Sequence, residues 1–241
     1  MNSYKKDYIK LSRLQTKFLT WSATLGFPFY LTGGTALWHF YLNHRYSEDL
    51  DFFVNNSPDF SKHILLLKDQ LQKQFKTDIS KTVVTEEFAR FFIEDENAML
   101  KIEYVNDVAY RAGMPTVSNM GLIDNVTNIL SNKLTALVGR DEPKDVFDII
   151  SIAVNYSFNW KEIFYHSKEK ALINEIDVEQ RLFTFPIEGL LNGDWLIKPV
   201  DIEGFQVQLH AIADDFMLGG DNSLGKDKMK IEDAKLIILK V

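Results

Sequence analysis

Cysteine is absent from the 241 residues, so disulfides, thiolate metal sites and cysteine nucleophiles are excluded together. No apolar run approaches the roughly 20 residues that a bilayer span requires. The opening Met1-Asn-Ser-Tyr-Lys-Lys lacks the apolar stretch and small-residue site of a signal peptide, so a cytoplasmic location is the expectation. Positive charge is in deficit, 27 basic residues against 34 acidic ones for a net charge of -7, which argues against a surface coated in nucleic acid while leaving room for a local basic groove. The five histidines, His39, His44, His63, His166 and His210, show no metal-ligand spacing and read as structural or surface residues. There is no internal repeat and no low-complexity linker. Hydrophobic residues make up 46% of the chain and aromatics 13%, enough for one large core or two small ones.

Periodicity divides the chain. Tyr8, Leu11, Leu14, Phe18 and Trp21 recur at steps of three and four and predict an amphipathic helix over about residues 4–25, ended by Gly26 and Pro28. Residues 29–31 read as a strand, 34–43 as a helix and 49–54 as a second strand. A helix follows over 60–76, then short β-type runs at 82–84, 90–93 and 99–105. This predicts a small mixed sheet of four or five strands flanked by helices, an α/β (α+β) core. From Asp124 the spacing is helical, broken at Asp141-Glu142-Pro143. A boundary near 115–122 divides a core of residues 1–118 from a mainly helical part of residues 119–241. Lys62, Lys68, Lys73, Lys76 and Lys81 enrich one stretch, which reads as a solvated helix face.

The chemistry-bearing residues cluster between Leu31 and Phe53. Gly33-Gly34 opens a short helix at Thr35, a combination that lets backbone approach phosphates and presents N–H groups at the positive end of the helix dipole. Ser47, Asp49 and Asp51 follow. The two aspartates alternate with Leu50 and Phe52, so their carboxylates share one face of a strand while the apolar pair faces the core. In the run Met99 to Val105, Leu100, Ile102 and Tyr104 alternate with Lys101 and Glu103, which places Glu103 on the polar face of a buried strand and makes it the candidate third carboxylate. Three acids packed together repel one another unless a cation joins them, and an all-oxygen donor set suits Mg²⁺ or Mn²⁺. Ser47 reads either as a phosphate ligand or as a turn cap.

Gly33-Gly34-Thr35 with Asp49-Leu50-Asp51 resembles the signature of the polymerase-β-like nucleotidyltransferase superfamily. The fuller string, Gly-Gly-Thr-Ala-Leu followed by Arg45-Tyr-Ser-Glu-Asp-Leu-Asp-Phe-Phe53, resembles more narrowly the AbiEii toxin nucleotidyltransferases of toxin–antitoxin and abortive-infection systems. The segment Lys133 to Arg140 followed by Lys144-Asp145-Val-Phe-Asp148 resembles a second block of that family. Lys133 and Arg140 lie seven apart and share a helix face, which suits two cations reaching a triphosphate. Asp145 would hold Lys133 or the ribose. The alternative is that Asp145 and Asp148 stabilise a helix start after Pro143 and that Arg140 is a solvated helix end. Asp148 is assigned no role.

The resemblance implies a metal-dependent transfer of a nucleotide from an NTP to a hydroxyl. Asp49, Asp51 and Glu103 would hold Mg²⁺ or Mn²⁺, and Gly33, Gly34, Thr35, Ser47, Lys133, Arg140 and Asp145 would hold the nucleotide. It further implies an RNA acceptor, with tRNA the best-supported class, and a cognate antitoxin as partner. A small-molecule or protein acceptor and a non-catalytic nucleotide-binding module are the rival readings.

Overall fold

The apolar spacing of the first predicted helix is met by α1 (Tyr8–Ala23). It is capped by the Asp7 carboxylate, which accepts from the Lys10 amide at 3.2 Å. Leu11, Leu14, Phe18 and Leu19 form its buried stripe. The structure, a computed structural model, describes residues 7–190 and 193–237. The first predicted residues of this helix, 4–6, lie outside the described residues.

The chain then runs β1 (Tyr30–Thr32), α2 (Gly33–Leu37), β2 (Leu50–Asn55), α3 (Phe60–Gln74), β3 (Lys76–Thr77), β4 (Val83–Val84), β5 (Phe88–Asp95), β6 (Ala98–Asp107), β7 (Thr116–Ser118) and β8 (Gly121–Ile123). Helix α2 does not end as an α-helix. Its last turn widens into a π-helix over Trp38–Leu42, closed by Asn43 in the left-handed region, whose side-chain oxygen accepts from the Trp38 indole at 3.1 Å.

One eight-stranded sheet results, in the order β3-β5-β6-β2-β1-β8-β7 with β4 also on β5. The four or five strands expected from sequence are too few. Strands β3, β4, β7 and β8 are two or three residues long, too short for an alternation to register. Pairing is mixed: β2 lies parallel to β6, β1 antiparallel to β2, and β8 parallel to β1. Residues 121–123 thus belong to the sheet.

The sheet has two unlike faces, and the alternation of β2 and β6 decides which is which. Leu50, Phe52, Val54, Leu100, Ile102 and Tyr104 are buried on one. There Phe52 stacks on Tyr104 at 5.0 Å between ring centroids, and Phe18 of α1 meets Phe52 at 6.0 Å and Phe75 at 5.8 Å. The opposite face carries Asp51, Phe53, Glu103, Val105 and Asp107, and α4 (Val126–Gly139) stands across from it.

Helix α4 is followed by α5 (Pro143–Asn155), β9 (Tyr156–Ser157), α6 (Trp160–Lys168), α7 (Glu175–Thr184), α8 (Ile202–Met217) and β10 (Met229–Lys230), the last parallel to β9. Asn222 ties the end of α5 in place, its amide donating to the carbonyls of Ala153 at 2.7 Å and Tyr156 at 2.8 Å. One hydrophobic cluster runs unbroken from Tyr8 in α1 through the sheet to Phe216 in α8.

Phe18 is fully buried at the join of α1, β2 and the end of α3. Phe18→Ala is expected to lower unfolding free energy by about 3–5 kcal/mol, read from the urea midpoint at unchanged m-value.

Candidate active site

A cleft of about 600 Å³ separates the polar face of the sheet from α4, lined among others by Gly33, Gly34, Asp51, Glu103, Asn132, Lys133, Arg140, Asp145 and Lys170. Its floor is set by strand register. Asp51 of β2 lies opposite Thr32 of β1 on one side and Glu103 of β6 on the other, so the end of β1, the second aspartate and the candidate third acid form one row.

At the end of that row the chain turns sharply. Gly33 has φ +69°, and a Cβ there would come within 3.2 Å of the Asp51 Oδ2, so the left-handed glycine keeps the turn pressed against the acid. A Cβ on Gly34 would run into the Arg45 guanidinium, with Cζ at 3.0 Å, and would lie 3.1 Å from the Ser47 Oγ. The glycine pair therefore admits an acid on one side and a buried arginine on the other. Thr35 is buried, and its hydroxyl donates to the Asp49 carbonyl, locking the approach to β2. Ser47 is buried next to this turn, with its carbonyl accepting from Gln15 at 3.0 Å.

The acids are not equivalent. Glu103 accepts from Arg90 of β5 at 2.6 Å, and the Lys101 ammonium lies 2.9 Å from Asp49 and 3.3 Å from Glu103. Asp51 has no such partner among the described residues. Burial, with the neighbouring Asp49 and Glu103 carboxylates adding to it, pushes its carboxyl up to about 6. Among the described residues no three acidic or histidine side chains are gathered into a ready-made metal cage. The position between Asp49 and Glu103 is taken by the lysine ammonium.

The opposite wall is built on Asp148, fully buried in α5. Arg45 grips it with two parallel bonds, Nε to Oδ1 at 2.6 Å and Nη2 to Oδ2 at 2.7 Å. His44 Nε2 lies 2.7 Å from Oδ1, and Lys133 Nζ lies 2.7 Å from Oδ2. Lys133 also donates to Asp145 at 2.6 Å, and Asp145 accepts from Arg140 at 2.7 Å. Burial works to raise the Asp148 carboxyl, but the charges of Arg45 and Lys133 hold it well below the usual carboxylate range. Burial works to lower the Lys133 ammonium, but Asp148 and Asp145 keep it protonated. His44 is pushed down by burial and stays neutral near pH 7. Three cations, Arg45, Lys133 and Arg140, thus surround two acids, Asp145 and Asp148, with the Glu142 carboxylate also acting on the two arginines, and Lys133 and Arg140 line the cleft.

A second buried network fixes the cleft's inner end. Asp124 accepts from Thr32 at 2.6 Å, from Asn128 at 2.8 Å and from Arg111 at 2.6 Å, which joins the end of β1 to the start of α4. Lys170, reaching in from the segment after α6, donates to Asn128 Oδ1 and Asn132 Oδ1 at 2.6 Å each, and burial pushes its ammonium down to about 8.

Of the residues predicted from sequence, Gly33, Gly34, Asp51, Glu103, Lys133, Arg140 and Asp145 line one cleft. Asp49 lines an adjoining pocket beyond Lys101, and Thr35 and Ser47 lie behind the glycine turn. Sequence reasoning weighs Asp148 only as a helix-start residue and assigns no role to it, nor to Arg45, Lys101, Arg90, Asp124 and Lys170. Two of these carry a visible signal: Lys101 sits two before Glu103 on the same strand face, and Arg45 lies inside the motif string.

A glycine turn pressed on an Asp-x-Asp strand, with an acid on the parallel neighbour and a cationic helix opposite, is the layout that the resemblance to nucleotidyltransferases leads one to expect. Residues 20–189 match the profile of the family described as nucleotidyl transferase AbiEii toxin, type IV toxin–antitoxin system, and the chain belongs to that family. Its fold is similar to that of JHP933 from Helicobacter pylori, at 22% identity and TM-score 0.57, over 89% of this chain and 92% of that one. It is also similar to MenT4, a nucleotidyltransferase toxin from Mycobacterium tuberculosis H37Rv, at 14% identity and TM-score 0.51, over 93% and 86%. No curated protein matches the sequence.

Removing one member of the Asp148 network strands buried charge. Asp148→Asn is expected to cost about 3–5 kcal/mol at pH 7. Because the native carboxyl is held well below its unfolded value, its contribution is present above about pH 4 and is lost as pH falls through the native value, so the gap between variant and parent should begin to narrow below pH 4 in thermal melts. Asp51 has the opposite sign. Its raised native carboxyl brings no penalty below about pH 4 and a full one above pH 6, so Asp51→Asn in chelator should melt with the parent at pH 4 and above it at pH 7.5, by about 1–3 kcal/mol.

Proposed function

We propose that this nucleotidyltransferase moves a nucleoside monophosphate from an NTP to a hydroxyl on RNA, tRNA foremost, as the toxin of a toxin–antitoxin pair working in the cytoplasm. The observation that carries the nucleotide half of this reading is the opposition of charge across the cleft. The cations Lys133 and Arg140 on one wall suit a triphosphate, and Asp51 opposite, which has no ion-pair partner among the described residues, suits a cation brought with that triphosphate. Mg²⁺ takes one or two protein carboxylates and fills its shell with phosphate oxygens and water, so Asp51 and Asp49 are a sufficient donor pair, with Glu103 beside them. When bound, such an ion neutralises the phosphates and polarises the reacting phosphorus.

The chain's own residues have separable tasks. Gly33 and Gly34 offer backbone for close approach of phosphate. Lys133 has two of its three N–H donors committed to Asp145 and Asp148, which leaves one for a phosphate oxygen. Arg140, with a side chain 61% exposed, extends from Asp145 toward the cleft mouth. The attacking hydroxyl oxygen bonds to the α-phosphorus, and pyrophosphate departs with its bridging oxygen. The family's description as a type IV toxin–antitoxin system supports an antitoxin partner; the RNA acceptor rests on the resemblance read from the sequence motifs.

Asp49→Ala and Asp51→Ala are each expected to abolish transfer of labelled NTP to total RNA while leaving the fold intact by circular dichroism. Induced expression of the parent chain should arrest bacterial growth, and Asp49→Ala should not. Arrest that persists in Asp49→Ala refutes a catalytic toxin, and label arriving on protein instead of RNA moves the acceptor to a protein side chain. NTP binding by calorimetry should weaken at least tenfold in chelator, and equal affinity with and without Mg²⁺ would remove the metal from the reading.

A further inference from the structure

The cleft floor changes character along the sheet. Two residues beyond the acid row of Asp51 and Glu103, on the same strand face, Phe53 of β2 lies beside Val105 of β6, and Asp107 ends the floor. That step covers about 7 Å of strand, so a nucleotide with its phosphates at Gly33, Gly34, Lys133 and Arg140 lays its base over the row of Phe53 and Val105. Both side chains are half-buried and line the cleft. Such a surface stacks any base and distinguishes none.

Selectivity has to come from the roof. There Asn132 of α4, one position before Lys133, lines the cleft, and its side-chain oxygen accepts from the Lys170 ammonium at 2.6 Å. Lys170 also donates to Asn128 Oδ1 at 2.6 Å and to Ser131 Oγ at 2.5 Å. An ammonium has three donors and no acceptor, so these three short bonds leave nothing for a ligand. The neighbours are fixed in their roles as well, since Asn128 gives its amide to Asp124 and Ser131 gives its hydroxyl proton to the Asn128 carbonyl. Asn132 therefore has one orientation, with its oxygen held by Lys170 and its amide turned away. That amide has no acceptor among the described residues, and its side chain stands at the cleft surface.

We propose that Asn132 selects the base of the nucleotide, with Lys170 as its positioning residue, and that the pair favours a base carrying a carbonyl oxygen, in GTP, CTP or UTP, over the adenine of ATP. The assignment rests on the NTP reading given above. An asparagine with both ends available pairs with adenine twice, its oxygen accepting from the N6 amino group and its amide donating to N7. Here the oxygen is already taken, so the adenine amino group loses its acceptor on leaving water, and an unmade bond of that kind is costly. A carbonyl oxygen of guanine, cytosine or uracil needs only the amide. Lys170 thus acts on specificity without touching the nucleotide.

The test measures binding of ATP, GTP, CTP and UTP with Mg²⁺ by calorimetry to the parent chain, Asn132→Ala and Lys170→Met. The parent should bind ATP about tenfold more weakly than the tightest of the other three. In Asn132→Ala the four affinities should fall within about threefold of one another. In Lys170→Met the freed oxygen should narrow the gap by tightening ATP, whereas a merely structural defect weakens all four in proportion. Equal binding of the four by the parent, as would follow if Asp107 took the adenine amino group, overturns the selection and leaves the NTP reading in place. A gap that survives in Asn132→Ala overturns it as well, and a proportional loss in Lys170→Met removes the positioning role. If the parent binds no NTP, the reading and the proposal fall together. Asn132 is only half-buried, so its variant decides the matter even where Lys170→Met does not fold.

Discussion

Everything around the cleft depends on one fully buried carboxylate. Asp148 is taken out of water by α5 and is stable as an anion only because Arg45 and Lys133 accompany it. Those partners come from different parts of the chain, Arg45 from the loop before β2 and Lys133 from α4. The pair of charges therefore holds the helical half against the sheet at a fixed distance. The constraint propagates. Arg45 can reach Asp148 only beneath Gly34, because any side chain there would occupy the guanidinium's space. The second glycine of the pair thus serves the interior of the protein, while the first serves the cleft. A buried ion network of this kind contributes little net stability compared with apolar packing, but it tolerates only one arrangement of its members. That is what a site needs if Lys133 is to be aimed within a fraction of an ångström.

The sheet supplies the opposite sign by the same economy of placement. Parallel pairing of β2 with β6 sets Asp51 beside Glu103, and antiparallel pairing of β5 with β6 sets Arg90 beside Glu103. Each acid is thereby fixed by register, with no loop involved. The period-two alternation sends Leu50, Phe52, Ile102 and Tyr104 to the core, so a one-residue slip would bury the acids and expose the aromatics together. The row of acids is consequently as rigid as the hydrophobic core that backs it.

This coupling explains what could be read in the sequence. Glu103 was legible because an acid interrupting a buried strand has to face a cavity or a partner, and it has both. The glycine turn, the Asp-x-Asp strand and the Lys133 to Asp145 block were legible because each is local. Asp148 was not, since a carboxylate near a helix start after proline has the same sequence signature whether it is solvated or gripped by an arginine 103 positions away. The widened turn at Trp38–Leu42 and the two- and three-residue strands escaped for a related reason, because they are dictated by tertiary contacts and leave no periodicity. The lysine-rich stretch reads as a uniform solvated face. In the fold it is divided, with Lys73 paired to Asp69 within α3, Lys76 to Glu94 at the sheet edge, and Lys81 beside Phe92.

Lys101 reconciles the two walls. Three acids in one row would oppose folding in the absence of a cation, and the ammonium between Asp49 and Glu103 removes most of that repulsion. Asp51 has no such partner among the described residues, and burial, with the neighbouring carboxylates adding to it, raises its carboxyl. In the proposed reaction, an ion entering at Asp49 must replace a bonded ammonium, whereas one entering at Asp51 relieves an unfavourable charge. The two aspartates of a single motif thus have unequal surroundings, one ion-paired and the other without an ion pair among the described residues.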